Sequence, residues 1–263
     1  MPTGSALTVE WLRGRSVVTS ARSTIPLRLL VPAWAGHAAW VVQSSLGGGF
    51  VGGDQVALRV DVGARASLVL SSQASTKVYR AARAGFTLDA TVGDDAILVA
   101  WPDPVVCFSG AAFDQVQRFR LAPTASLIAV DAWTAGRVAR GERWAFERLA
   151  TRLAIEIGGA PVLDDAMLLS SAHGELAARL AGKDAFATIA IAGPALAAAC
   201  DRLAADIAAR PIGWPLVTAS RWPWGLVIRI AAGAIEPLVH ATRDLLRGCM
   251  IEAIGADPWV RKW

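Results

Sequence analysis

Cysteine, histidine and tyrosine are scarce in this chain of 263 residues, which holds three, three and one of them respectively. Cys107, Cys200 and Cys249 are an odd number, lie far apart and lack CxxC spacing, which argues against a disulfide framework or a structural zinc site. His37, His173 and His240 are isolated, with no HExxH or comparable spacing, so no permanent zinc or iron site is expected. A GxSxG nucleophile elbow, a Walker loop and a GxGxxG fingerprint are all absent, which disfavours a serine hydrolase, a P-loop nucleotide site and a hydride-transfer enzyme. No stretch supplies the roughly 20 continuous apolar residues that cross a bilayer as a helix. Residues 29–53 are broken by Pro32, His37, Gln43 and six glycines, and residues 185–200 by Gly193 and Pro194. The N-terminus shows no apolar segment followed by a small-residue cleavage site, so the expectation is a cytoplasmic protein with no membrane partner.

What remains is apolar and only mildly basic. Lys plus Arg total 26 against 22 acidic residues, a net charge of +4, while 54% of residues are hydrophobic. Eleven tryptophans lie outside any basic, aromatic-interleaved stripe, so nucleic acid is not an expected ligand. With no membrane helix to absorb it, the hydrophobic excess points to apolar surface that a protein partner covers.

The first 160 residues read as strands. Val56, Leu58, Val60 and Val62 alternate with Ala57, Arg59 and Asp61, and Leu153, Ile155 and Ile157 repeat that period about Glu156. Three segments resemble one another, residues 62–68, 92–98 and 122–128, with Gly63, Gly93 and Pro123 thirty residues apart. Such recurrence suggests layered sheets with a β-helix-like winding, with consecutive hairpins as the alternative. Beyond Pro161 the pattern turns helical. Leu196, Cys200, Leu203 and Ile207 mark one amphipathic helix that ends at Arg210 and Pro211, a strand follows at 226–230, and a second helix starts near Glu236 and Pro237. The expected fold is therefore mainly β, with about two packed α-helices in the C-terminal third.

Four polar segments stand out. Gly47, Gly48, Gly49, Gly52 and Gly53 end in Asp54 and run into a strand; as a phosphate cradle this fails, and a tight turn with Asp54 bonding backbone amides is the plainer reading. Gln73, Lys77 and Tyr79 lie on a polar stretch whose bland reading is a strand with surface charges. Pro102 and Pro104 bracket Asp103 in a rigid bend. Asp131, Gly136, Arg137, Gly141 and Glu142 form a polar group close to Trp133 and Trp144, consistent with partly buried ion pairs or with a site.

Taken in order, these segments resemble the UreD (UreH) family of urease accessory proteins. The run GGGFVGGD at 47–54 looks like the family's glycine signature, residues 71–80 its TKVYR segment, Pro102 to Phe108 its proline element, and Gly136 to Trp144 its GRxxxGExW segment. The resemblance spans about a hundred residues in the right order. It implies one UreD-like domain over residues 1–263, a β-rich body with a helix pair, and no enzymatic turnover. It further implies partners: a UreF-type accessory protein, a UreG-type GTPase and the urease apoprotein. No tightly bound cofactor is expected, only nickel(II) in transit through an internal path. Asp54, Asp103, Asp131 and Glu142 are the carboxylates expected to serve that path, with Lys77, Tyr79 and Arg137 positioning them. Oxygen ligands hold nickel less firmly than imidazole or thiolate, which suits passage better than storage.

Overall fold

A computed structural model describes residues 4–33, 36–213, 215–255 and 257. The alternating segments wind as a solenoid. The chain runs through β1 (Ser5–Leu12), β2 (Arg15–Arg22), β3 (Leu27–Leu30) and β4 (Ala39–Ser45), then β5 (Gln55–Val62), β6 (Ser67–Ser72) and β7 (Thr76–Val78). The next coils follow as β8 (Ala84–Val92), β9 (Ile97–Trp101) and β10 (Val105–Cys107), then β11 (Ala112–Leu121) and β12 (Ser126–Thr134). After them come β13 (Arg148–Ile157), β14 (Ala160–Ser170), the short α1 (Leu176–Arg179), β15 (Ala185–Ala192), α2 (Ala197–Ala209), β16 (Leu216–Trp222), β17 (Gly225–Ala232) and α3 (Ile235–Ile254).

Successive coils stack in parallel. β1, β5, β8, β11 and β13 pair side by side in a first sheet, and β4, β6, β9 and β12 in a second. The two short strands β7 and β10 make a narrow third face, extended by a parallel bridge from Phe50 to Val78. At each corner one turn rests on the one before: the amide of Gly63 donates to Val9, that of Gly93 to Val62, and that of Ala122 to Val92. Gly93 is needed there, since a Cβ would sit 2.9 Å from the amide nitrogen of Ala64. Ala122, and not Pro123, is thus the counterpart of Gly93, so the interval of thirty residues holds for the first pair and shortens to twenty-nine for the second.

Both sheets change direction at the C-terminal end. β14 adds antiparallel to β13, and β15, β17 and β16 add antiparallel beyond β12. Pro161 does not end the strands as the sequence pattern suggested; it lies inside β14, an edge strand where a missing amide breaks no ladder. Helices α2 and α3 then cover the outer face of the second sheet, burying Cys200, Leu203, Leu238, Leu246 and Met250. The second sheet is therefore covered on both faces, and all nine residues of β12 are buried. The molecule has two cores: one between the sheets, built on Leu58, Leu98, Phe113 and Leu127, and one between the second sheet and the helices. Much of the hydrophobic excess goes into this double burial. No helix among the described residues is long and apolar enough to cross a membrane.

Candidate functional site

The four polar segments of the sequence converge on the third face of the solenoid and the corners beside it. The glycine run lies flat against residues 77–82. Phe50 donates its amide to Lys77 and accepts from the amide of Tyr79, at 2.8 and 2.9 Å. A Cβ on Gly49 would stand 2.8 Å from Tyr79 Cε2, and one on Gly52 2.7 Å from the amide nitrogen of Ala82, so only glycine allows the approach. Gly47, Gly48 and Gly53 hold positive φ. Asp54 turns back on its own loop, its Oδ2 accepting from the amide of Val51 at 2.8 Å.

One coil further along, the Tyr79 ring meets the Phe108 ring edge to face at 5.0 Å, and the Arg137 guanidinium lies 4.0 Å over the other aromatic partner, Phe108. Arg137 is forked onto Glu142, with Nε 2.9 Å from Oε2, and Glu142 also accepts from the amide of Ser109. The Arg137 hydrogen bond, aided by the Ser109 amide, holds the Glu142 carboxyl below its usual range. Gly136 at φ +100° and Gly141 at φ +75° shape this loop; a Cβ on Gly136 would meet the Cys107 carbonyl at 2.7 Å. Trp144 packs on Trp133 beneath it.

Behind this face lies a cavity of about 160 Å³ that penetrates between the sheets. Its outer wall carries Gln73, Lys77, Pro102 and Asp103; its inner wall carries Gln115, Gln117 and Asp131. Ser72 couples to Asp103 twice, its hydroxyl donating to Oδ2 at 2.9 Å and accepting from the Asp103 amide at 2.7 Å. The rigid Trp101 to Pro104 bend between β9 and β10 fixes that carboxylate at the mouth. A second cavity of about 540 Å³, between this bend and the start of α3, shares Ser75, Pro102, Asp103 and Ala132 with the first. Asp103 therefore stands in the wall common to both.

Asp131 is the chemically unusual member. It sits in the middle of β12 and points into the space between the sheets, where it is 5% exposed. Its hydrogen-bond partners are neutral: Gln115 donates Nε2 to Oδ1 at 2.7 Å, and the Thr151 hydroxyl donates as well. Burial pushes the Asp131 carboxyl up to about 6, the two hydrogen bonds oppose the rise, and nearby Asp165 adds to it. Close to it, Gln117 is 2% exposed, and its amide nitrogen has no hydrogen-bond partner. Among the described residues, the inner end of the cavity thus holds a carboxylate bonded to neutral groups and an unsatisfied amide.

Asp103 and Asp131 share this cavity with Gly48, Gln73, Lys77 and Pro102. Asp54 and Glu142 stand apart from it, the first bound to its loop and the second to Arg137. Among the described residues no three His, Cys, Asp or Glu side chains gather as a metal-holding group. Thiolates are not on offer either: burial raises Cys107 to about 12 and Cys200 and Cys249 to about 11. Gln115, Gln117 and Thr151 were not singled out by the sequence reading. Their signal was there, in the alternation Phe113, Gln115, Gln117, Phe119, which puts two amides on a face otherwise apolar.

The family model described as UreD urease accessory protein matches residues 4–263. A urease accessory protein UreD of Anaeromyxobacter sp. (strain Fw109-5) is 44% identical over 256 residues, covering 94% of this chain and 85% of the relative. One from Sorangium cellulosum (strain So ce56) is 44% identical over 254 residues, covering 95% and 81%. A urease accessory protein D of Arabidopsis thaliana is 36% identical over 205 residues, covering 74% and 69%. A match over nearly the whole length, with the glycine run, the proline bend and the Arg137 loop built into one face, shows that the chain belongs to the UreD urease accessory protein family.

Proposed function

We propose that this chain is a urease maturation factor that passes nickel(II) through its interior on the way to apo-urease, as part of an assembly with a UreF-type accessory protein and a UreG-type GTPase. One observation supports the conduit most: Asp131 is a buried carboxylate with only neutral hydrogen-bond partners, at the inner end of a cavity whose mouth carries Asp103. A carboxylate in such a place is expensive unless a cation shares it for part of its working cycle. Two carboxylates spaced along a narrow cavity attract a dication without trapping it, the balance that conduction requires. Nickel is cargo here, held by no resident site, and GTP hydrolysis falls to the GTPase partner. The chain itself turns over no substrate.

Lys77 and the Tyr79, Phe108 and Arg137 column hold the mouth in shape, and the glycine run locks it to the next coil. The test is the nickel content of urease purified from cells carrying the urease and accessory genes, with and without this chain. Nickel near background only when the chain is missing supports maturation. Unchanged nickel would overturn it.

A further inference from the structure

Asp131 is also the first member of a polar row that leaves the cavity in the opposite direction. Strand register sets Asp131 on β12 against Thr188 on β15, and Thr188 against Arg229 on β17. Directly paired residues project from the same face of a sheet, so the three line its inner side across two strand spacings, about 10 Å. In the first sheet Asp131 meets Gln115 and Thr151, and the next inward row along the strands is Gln117, Leu153 and Asp165, across β11, β13 and β14. The rows join where Arg229 Nη2 lies 2.6 Å from Asp165 Oδ1. Arg229 is 54% exposed and Asp165 29%, and β14 is the last strand of its sheet, so this ion pair stands at the rim of the sandwich.

The charges along this row do not balance. Asp131 and Asp165 are close enough to repel, and Arg229 supplies a single positive charge, at the outer of the two. Gln117, buried in the adjoining cavity wall, has an amide nitrogen with no partner. A mere staple between sheets would leave both features unexplained. An intermittent dication accounts for both, since it would neutralise the inner carboxylate and take the amide oxygen of Gln117 after a flip of that group.

Resting on the conduit reading above, we propose that Arg229 is a stand-in cation that closes the far end of the path: it occupies Asp165 while the path is empty, and an arriving divalent cation displaces it toward solvent. With twice the charge, the ion competes for Asp165. On its return, the guanidinium reclaims the carboxylate and keeps the ion from settling there. Arg229 is thus a positioning residue for cation release, and its exposed side chain has room to swing outward.

Equilibrium dialysis of the full chain with Ni²⁺ tests this. Arg229→Gln should bind Ni²⁺ about tenfold more tightly than wild type, because the carboxylates lose their internal competitor. Arg229→Lys should bind as wild type does, and Arg229→Gln combined with Asp165→Asn should lose the gain. Equal affinity for wild type and Arg229→Gln, or a gain that survives Asp165→Asn, would overturn the proposal. Nickel loading of urease in cells separates the two readings. If Asp131→Asn abolishes loading while Arg229→Gln binds Ni²⁺ no tighter, the conduit stands and the lock at Arg229 fails. If Asp131→Asn loads urease normally, the conduit fails and the lock fails with it.

Discussion

Asp131 carries a thermodynamic penalty that is itself measurable. Burial pushes its carboxyl up to about 6 in the folded chain, from the 3.8 of an exposed aspartate. An acid raised on folding binds its proton more tightly in the native state, so stability is fullest below the unfolded value. It falls as pH climbs from about 4 to about 6 and stays low above that range. Replacing the carboxylate by an amide of the same shape removes the penalty while Gln115 keeps an oxygen to donate to. Asp131→Asn is therefore expected to stabilise the chain at pH 7.5, on the order of 3 kcal/mol by linkage. The gain should shrink toward zero as pH falls below about 4, and be gone near pH 3, where the carboxyl is protonated in both states. Urea titrations at the two pH values check this; a loss of stability at pH 7.5 would mean that the carboxylate is satisfied in some other way. A residue that destabilises the fold at working pH is the kind that function retains.

At the scale of elements, the glycine run and β7 behave as one unit because the backbones touch. Gly49→Ala forces a Cβ onto Lys77 and Tyr79 and is expected to cost about 3 kcal/mol. Gly47→Ala meets nothing within 4 Å and strains only its φ of +82°, about 1 kcal/mol. Thermal unfolding of the two variants should therefore rank them in that order; equal losses would mean that the close contact is not what the run provides. Part of this architecture was legible in the residues. β5 and β13 announced themselves by period-2 alternation, and α2 by Leu196, Cys200, Leu203 and Ile207, because each has one apolar and one polar face. β15 was not legible as a strand: Ala185 to Ala192 is buried on both sides and reads as a bare apolar run, which periodicity cannot classify. β14 was hidden by Pro161, tolerated only at an edge that the sequence does not reveal. The site was half legible. Asp103 and Asp131 stood out as charges and the turn held by Asp54 was readable, but that Glu142 is taken up by Arg137 and by the distant Ser109 amide depends on backbone directions visible only in three dimensions. Asp131 did carry a local signal, as the lone charge in a strand of nine buried residues.

For the whole molecule, stacking explains how a small protein encloses a polar space. Parallel coils keep equivalent positions in register, so Gln115 on β11 lies beside Thr151 on β13, and both reach across to Asp131 on the facing sheet. Apolar side chains, Phe113 and Phe119 on one side and Leu98 and Leu127 on the other, seal the polar section above and below. The helices on the outer face of the second sheet stiffen the wall that bears Asp131, so the carboxylate cannot escape burial by strand movement. On the reading proposed above, nickel travels inside this enclosure. The measurement that tests it most directly is the nickel content of urease matured with the Asp131→Asn chain, in preparations where that chain still co-purifies with its partners in wild-type amounts. Nickel well below the wild-type level, despite intact assembly and a more stable chain, is the expected result. Full nickel loading would contradict it and leave the chain as an adaptor that recruits its partners while the metal moves elsewhere.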